Sequence, residues 1–156
     1  MSLEIGSAAP EFSLEGSDNT DEGRHIYSLA DYRGQVVVLV FYPGDNTPVC
    51  TRQLNAYTDD IERFEEVGAR VLAISPQSVV SHDEFSCKQG GFAFPLLADT
   101  DKVVGERYGI LGPLGFYRRS IFVIDGEGIL RWAHKAVAGI TFRPTTELVE
   151  AVRAAM

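Results

Sequence analysis

The sequence predicts one α/β domain in which helices cover a central mixed sheet. Three features carry that prediction. Residues 36–42, Val-Val-Val-Leu-Val-Phe-Tyr, form an unbroken apolar and β-branched run that Pro43-Gly44 stops, the pattern of a strand covered on both faces. Leu54, Tyr57, Ile61, Phe64 and Val67 then recur at spacings of three and four, the period of an amphipathic helix. A second apolar run at 70–75 follows, and the order continues as helix, short strand, hairpin and helix.

Residues 15–23 are rich in turn formers and acids and read as a solvated loop or hairpin tip. Thr47 can cap the helix after the central strand, with Pro48 at the first helical position, where its missing N–H costs nothing. Gly68 can end that helix. After the second strand, Ser81-His82-Asp83-Glu84 has the form of a capping box, with Val80 and Phe85 spaced for a hydrophobic staple. The helix starts there or one turn earlier, and Gly90-Gly91 closes it. A short strand is expected at 96–98 and a short helix at 102–108. Residues 119–124 and 129–134 flank Asp125-Gly126-Glu127-Gly128, a hairpin signal, and 145–155 has the pattern of a last amphipathic helix.

A chain of 156 residues has the size of one domain with a real core, and 45% hydrophobic residues argue against disorder. With 14 Lys and Arg against 22 Asp and Glu the net charge is −8, so no nucleic-acid partner is expected. Two cysteines are too few for a disulfide-stapled scaffold. The first residues have neither a basic nor an apolar segment of a secretory signal, and no apolar run reaches the roughly 20 residues of a membrane span. These features point to a cytoplasmic protein with no membrane partner and two thiols to account for.

Cys50 falls in the first turn of the helix that Thr47 caps. Free N–H groups and the positive end of the helix dipole converge there, which stabilises a thiolate and lowers its pKa below ~8.5. By itself this placement fits either a reactive nucleophile or a small apolar residue in a helix cap.

The surrounding residues add a resemblance. Pro43, Thr47 and Cys50 stand in the pattern P-x-x-x-T-x-x-C, which is similar to the active-site signature of the peroxiredoxins, thiol peroxidases of thioredoxin-like fold. Residues 5–14 resemble the family's opening G-x-x-A-P-x-F-x-L, here with an N-terminal extension hairpin expected. Residues 29–34 resemble its lead into the central strand, and Arg119-Ser120-Ile121-Phe122-Val123-Ile124-Asp125 its R-x-x-F-x-I-D segment. The four motifs occur in the family's order and span nearly the whole chain.

The resemblance implies roles. Cys50 would attack a peroxide oxygen, and N–H groups of Val49 and Cys50 would meet the charge on the departing oxygen. Thr47 would hydrogen-bond thiolate and peroxide. Arg119, rather than Arg118, would point inward and hold both. Pro43 would shield the sulfenic acid. The context of Cys87, His82-Asp83-Glu84-Phe85-Ser86-Cys87, resembles the Q-type (bacterioferritin-comigratory) group, some of whose members resolve with a cysteine on this helix. Others place it five residues after the first cysteine, which here is Asn55. In the members that use the later helix, the cysteine directly follows the Phe; here Ser86 intervenes, a turn of ~100°. Resolution through Cys87 would give an intramolecular disulfide and require local unwinding, since bridged Cα atoms lie roughly 4.4–6.8 Å apart. A thioredoxin-type dithiol would then reduce it.

Gln53 sits where relatives usually carry Glu, weakening any ion pair there, and Arg52 and Arg143 add positive charge either near the pocket or, as expected, on the solvated surface. His25, His82 and His134 have no ligand spacing, and no glycine-rich phosphate loop occurs, so neither metal nor cofactor is expected. A redox relay to a partner protein is an alternative. A thiol–disulfide oxidoreductase would need the C-x-x-C that Thr51-Arg52-Gln53 lacks, and a cysteine protease a His and carboxylate at the thiol. With no long C-terminal arm, a monomer or weak homodimer is expected.

Overall fold

The computed structural model describes residues 3–18, 24–136 and 142–156. Among them, seven strands form one mixed sheet: β1 Ser13–Ser17, β2 Arg24–Ser28, β3 Val36–Phe41, β4 Ala69–Ser75, β5 Leu96–Ala98, β6 Ser120–Ile124 and β7 Leu130–Lys135. Their order is β2-β1-β5-β4-β3-β6-β7. β3, β4 and β5 run parallel, and antiparallel pairs extend the sheet on both sides. The helices are α1 Pro48–Asp59, α2 Ile61–Glu66, α3 Val79–Lys88, α4 Val103–Arg107 and α5 Thr145–Ala154. A 3-10 turn at Leu29–Tyr32 leads into β3.

β3 shows why its run is unbroken. Successive side chains of a strand point to opposite faces. Val36, Val38 and Val40 join one core with Leu54, Phe64, Phe85 and Leu148; Val37, Leu39 and Phe41 join a second with Leu29, Val104 and Tyr108. Both faces are covered, so no position can be polar.

Several expectations need correction. The helix after β3 is not continuous to Gly68; it breaks at Asp60, whose carboxylate accepts a hydrogen bond from Thr145 in the last helix. Ser78, not Ser81, caps α3, accepting from the Ser81 N–H at 3.2 Å. The stretch read as a solvated loop or hairpin tip at 15–23 begins as strand, since Glu15–Ser17 pair antiparallel with β2 in a hairpin; residues 19–23 lie outside the described residues.

Candidate active site

The site forms where β3 ends. The antiparallel register pairs Phe41 with Ser120, so Arg119, one residue earlier, emerges beside the turn 42–47 that follows β3. Asn46 takes a left-handed conformation (φ 62°) in that turn, which asparagine tolerates better than most residues. Thr47 then caps α1: its Oγ1 accepts the Cys50 N–H at 3.4 Å and directs its own proton to the Gly44 carbonyl at 3.3 Å. The Cys50 N–H, expected to face a peroxide, is thus turned to Thr47.

Cys50, Gln53, Leu54 and Tyr57 form the buried stripe of α1. Cys50 is fully buried, and the guanidinium of Arg119, itself 4% exposed, reaches its Sγ with Nη2 at 3.3 Å. Nη1 of the same guanidinium donates to Gln53 Oε1. Gln53 Nε2 donates to Tyr57 Oη at 3.4 Å, and the Tyr57 hydroxyl donates to the Arg143 carbonyl at 2.6 Å. Burial, opposed in part by the Gln53 hydrogen bond and the Arg119 charge, raises the Tyr57 pKa, so the hydroxyl stays a donor. A buried chain of hydrogen bonds thereby runs from the thiol to the segment before α5.

Pro43 is half-buried in the turn that follows β3. Cys87 is not part of it: it is exposed in the last turn of α3, and the two cysteines are not bridged. The side chain of Arg143 pairs with Glu147 and is partly exposed, and Arg52 is exposed. Arg118 hydrogen-bonds the Ala136 carbonyl.

The link from Gln53 to Arg119 and Tyr57, and a second group, escape reading from sequence. Gln53 and Tyr57 have one available sign, a polar residue on the apolar stripe of a helix. The second group is Asp45, His82, Tyr42, Ser81 and Gln77, buried or half-buried behind the turn. Its members come from two distant segments, and nothing in the sequence pairs them. Among the described residues no cluster of three or more His, Cys, Asp or Glu is arranged to hold a metal. A surface cleft lined by Gly34, Gly68, Asp125 and Arg131 lies at the opposite end of β3 from Cys50.

A thiol held by a buried guanidinium at a capped helix start coincides with a family match, since the AhpC/TSA family profile covers residues 5–133. The chain belongs to the AhpC/TSA family, the peroxiredoxins. It is 38% identical over 137 residues to the "Putative peroxiredoxin bcp" of Coxiella burnetii, covering 83% of this chain and 87% of that protein. It is 37% identical over 131 residues to the chloroplastic peroxiredoxin Q of Oryza sativa subsp. japonica, covering 83% of this chain and 58% of that protein. These matches agree with the Q-type, bacterioferritin-comigratory resemblance. The reduced 2-Cys peroxiredoxin of Plasmodium vivax superposes with a TM-score of 0.89 at 25% identity, over 97% of this chain and 81% of that one. The fold is therefore the thioredoxin-like fold of peroxiredoxins, and the chain belongs with the thiol peroxidases of antioxidant role. Among the described residues of this peroxiredoxin no helix is long and apolar enough to cross a membrane.

Proposed function

We propose that the chain reduces hydrogen peroxide and organic hydroperoxides at Cys50, resolves the product through Cys87, and is recycled by a thioredoxin-type dithiol. The contact of Arg119 Nη2 with Cys50 Sγ at 3.3 Å carries this reading. At that distance the guanidinium faces the sulfur with the positive charge that an attacking anionic sulfur is paired with.

The Cys50 thiolate attacks one peroxide oxygen. An S–O bond forms, the O–O bond breaks, and the second oxygen leaves with the electron pair as hydroxide or alkoxide. Protonation by water gives water or an alcohol, with Cys50 as sulfenic acid. The planar fork of Arg119 can face the developing charge while still held by Gln53. Thr47 orients the thiolate by holding the Cys50 N–H, its hydroxyl proton turns from the Gly44 carbonyl to the peroxide, and Pro43 keeps water from the sulfenic acid. The Cys87 sulfur then attacks Cys50 sulfur, forming the disulfide and releasing the hydroxyl as water. A dithiol reduces the disulfide to two thiols and becomes a disulfide itself. The exposure of Cys87 suits attack by an external reductant, and we place the chain in the cytoplasm as a monomer or weak homodimer.

Mass spectrometry after one equivalent of peroxide tests the reading. An intrachain Cys50–Cys87 disulfide is expected. Cys50→Ser should abolish turnover, and full activity in that variant would refute the assignment. Cys87→Ser should permit one oxidation and stop thioredoxin-driven turnover; continued turnover would make the protein a one-cysteine enzyme.

A further inference from the structure

Asp45 lies five residues before Cys50, and His82 lies five residues before Cys87. Their side chains, both 0% exposed, meet with Asp45 Oδ2 at 2.8 Å from His82 Nδ1. The contact joins the turn that carries Cys50 to the helix that carries Cys87. Asp45 makes two more bonds to that second segment: Oδ2 accepts from Ser81 Oγ at 2.7 Å, and its backbone N–H donates to Gln77 Oε1 at 2.7 Å. Its Oδ1 accepts from the Tyr42 hydroxyl at 2.7 Å.

The far side of the histidine is also held. His82 Nε2 lies 2.9 Å from the Leu97 carbonyl, which can only accept, so Nε2 carries a proton. Nδ1 faces the Asp45 carboxylate at 2.8 Å and the Tyr42 hydroxyl at 3.3 Å. The ring therefore ties the Cys50 turn to β5. Taking this group apart removes a buried carboxylate and a buried imidazole from the partners they hold here, which makes separation costly and concerted.

A disulfide needs Cα atoms roughly 4.4–6.8 Å apart, with the sulfurs in contact. Cys50 is buried at the start of α1 while Cys87 is exposed at the end of α3, so the Cys50 turn, the end of α3 or both must leave their present places. We propose that Asp45 and His82 are positioning residues that latch the Cys50 turn onto α3 and β5, and thereby set how often Cys50 leaves Arg119 for the disulfide step. This rests on the peroxidase reading above. The latch favours sulfenic acid formation by keeping Cys50 against Arg119, and it slows the step that follows. A bond group serving fold stability alone would not speed the disulfide step while leaving sulfenic acid formation no faster.

The test uses the full chain with Asp45→Asn, Ser81→Ala and Gln77→Ala. Asp45→Asn keeps the shape and removes the charge; the other two remove one bond each and leave the buried pair intact, so they decide the matter if Asp45→Asn does not fold. In stopped flow, sulfenic acid formation is second order in peroxide and disulfide formation is first order. The disulfide step should speed up on the order of tenfold, the effect of one charge-assisted hydrogen bond on an opening equilibrium, with sulfenic acid formation unchanged or slower. A disulfide step unchanged or slowed in all folded variants overturns the latch.

A second arm does not depend on resolution. With Cys87→Ser as background, the rate at which the bulky reagent dithiobis-nitrobenzoate modifies buried Cys50 reports opening of the turn, and absorbance near 240 nm reports thiolate. Faster modification at unchanged absorbance supports the latch. Unchanged modification, or a gain matched by more thiolate, overturns it. If the unsubstituted chain forms no disulfide, the role of Cys87 fails, and this arm alone decides the latch.

Discussion

Arg119 and Gln53 are 66 residues apart in sequence and hydrogen-bonded inside the protein, with the guanidinium bridging the amide oxygen and the Cys50 sulfur. The amide accepts from the guanidinium through its oxygen without carrying a charge of its own. Its other end is held by Tyr57, so the amide cannot swing away from Arg119 without breaking two hydrogen bonds.

Gln53→Ala removes both bonds. It should slow reaction with peroxide about tenfold and cost about 1–3 kcal/mol of stability, the penalty of leaving buried donors unpaired. Gln53→Glu keeps an acceptor and should stay within a few-fold of the parent rate. Peroxide kinetics and urea unfolding on the same samples separate the effects. A fast Gln53→Ala variant would mean that Arg119 needs no holder.

Arg119 serves two acceptors with two nitrogens of one plane. Arg119→Ala should lower kcat/KM for peroxide by roughly 10²–10³, the usual loss when one charge-stabilising donor is removed. Arg119→Lys should recover only part, because an ammonium has no fork with which to serve sulfur and amide together. Steady-state kinetics with a saturating reductant measure this, and equal rates for Lys and Arg would count against the bridging geometry.

Gly105 lies in α4 against Tyr117. A Cβ at position 105 would come within 2.6 Å of a Tyr117 ring carbon. The Tyr117 hydroxyl donates to Asp99, whose carboxylate also accepts the Val104 and Gly105 N–H groups at 3.1 and 2.8 Å. In an open helix Gly→Ala stabilises by about 1 kcal/mol. Here Gly105→Ala should instead destabilise by about 1–3 kcal/mol through overpacking. The midpoint of urea unfolding gives the sign.

Asp125 holds the turn between β6 and β7. Desolvation raises its pKa, but the Ile129 N–H, the Arg131 guanidinium and the Glu127 N–H together outweigh it, and the carboxyl sits below its ordinary value. A carboxyl depressed by folding adds stability that is complete above the unfolded-state pKa of about 4 and is lost as pH falls through the folded-state value. Asp125→Asn should therefore be less stable than the parent near neutrality, and the gap should close in acid. Urea midpoints of both proteins between about pH 6 and about pH 2 check this; a gap that widens in acid would reverse the assignment.

Local physics explains which parts could be read from sequence. The run 36–42 is apolar at every position because β3 is covered on both faces, and that needs no knowledge of what covers it. Thr47 and Pro48 mark a helix start through their own backbone chemistry. The break at Asp60 could not be read, because its carboxylate bonds to Thr145, 85 residues away. The cap of α3 fell on Ser78 although Ser81 had the capping-box spacing, and the Ser81 hydroxyl is used on Asp45 instead.

Two cysteines in an acidic chain, one of them in the first turn of a capped helix, are properties of the sequence alone. So is the order of strands and helices, because periodicity and turn chemistry act over a few residues. Only the folded chain decides what surrounds the thiol. The pairing of β3 with β6 carries Arg119 to Cys50, the stripe of α1 brings Gln53 to Arg119, and the packing of α3 behind the turn buries His82 against Asp45. Each contact joins segments dozens of residues apart. No local preference specifies such a contact; it exists because burying both faces of one sheet leaves these segments a single common arrangement.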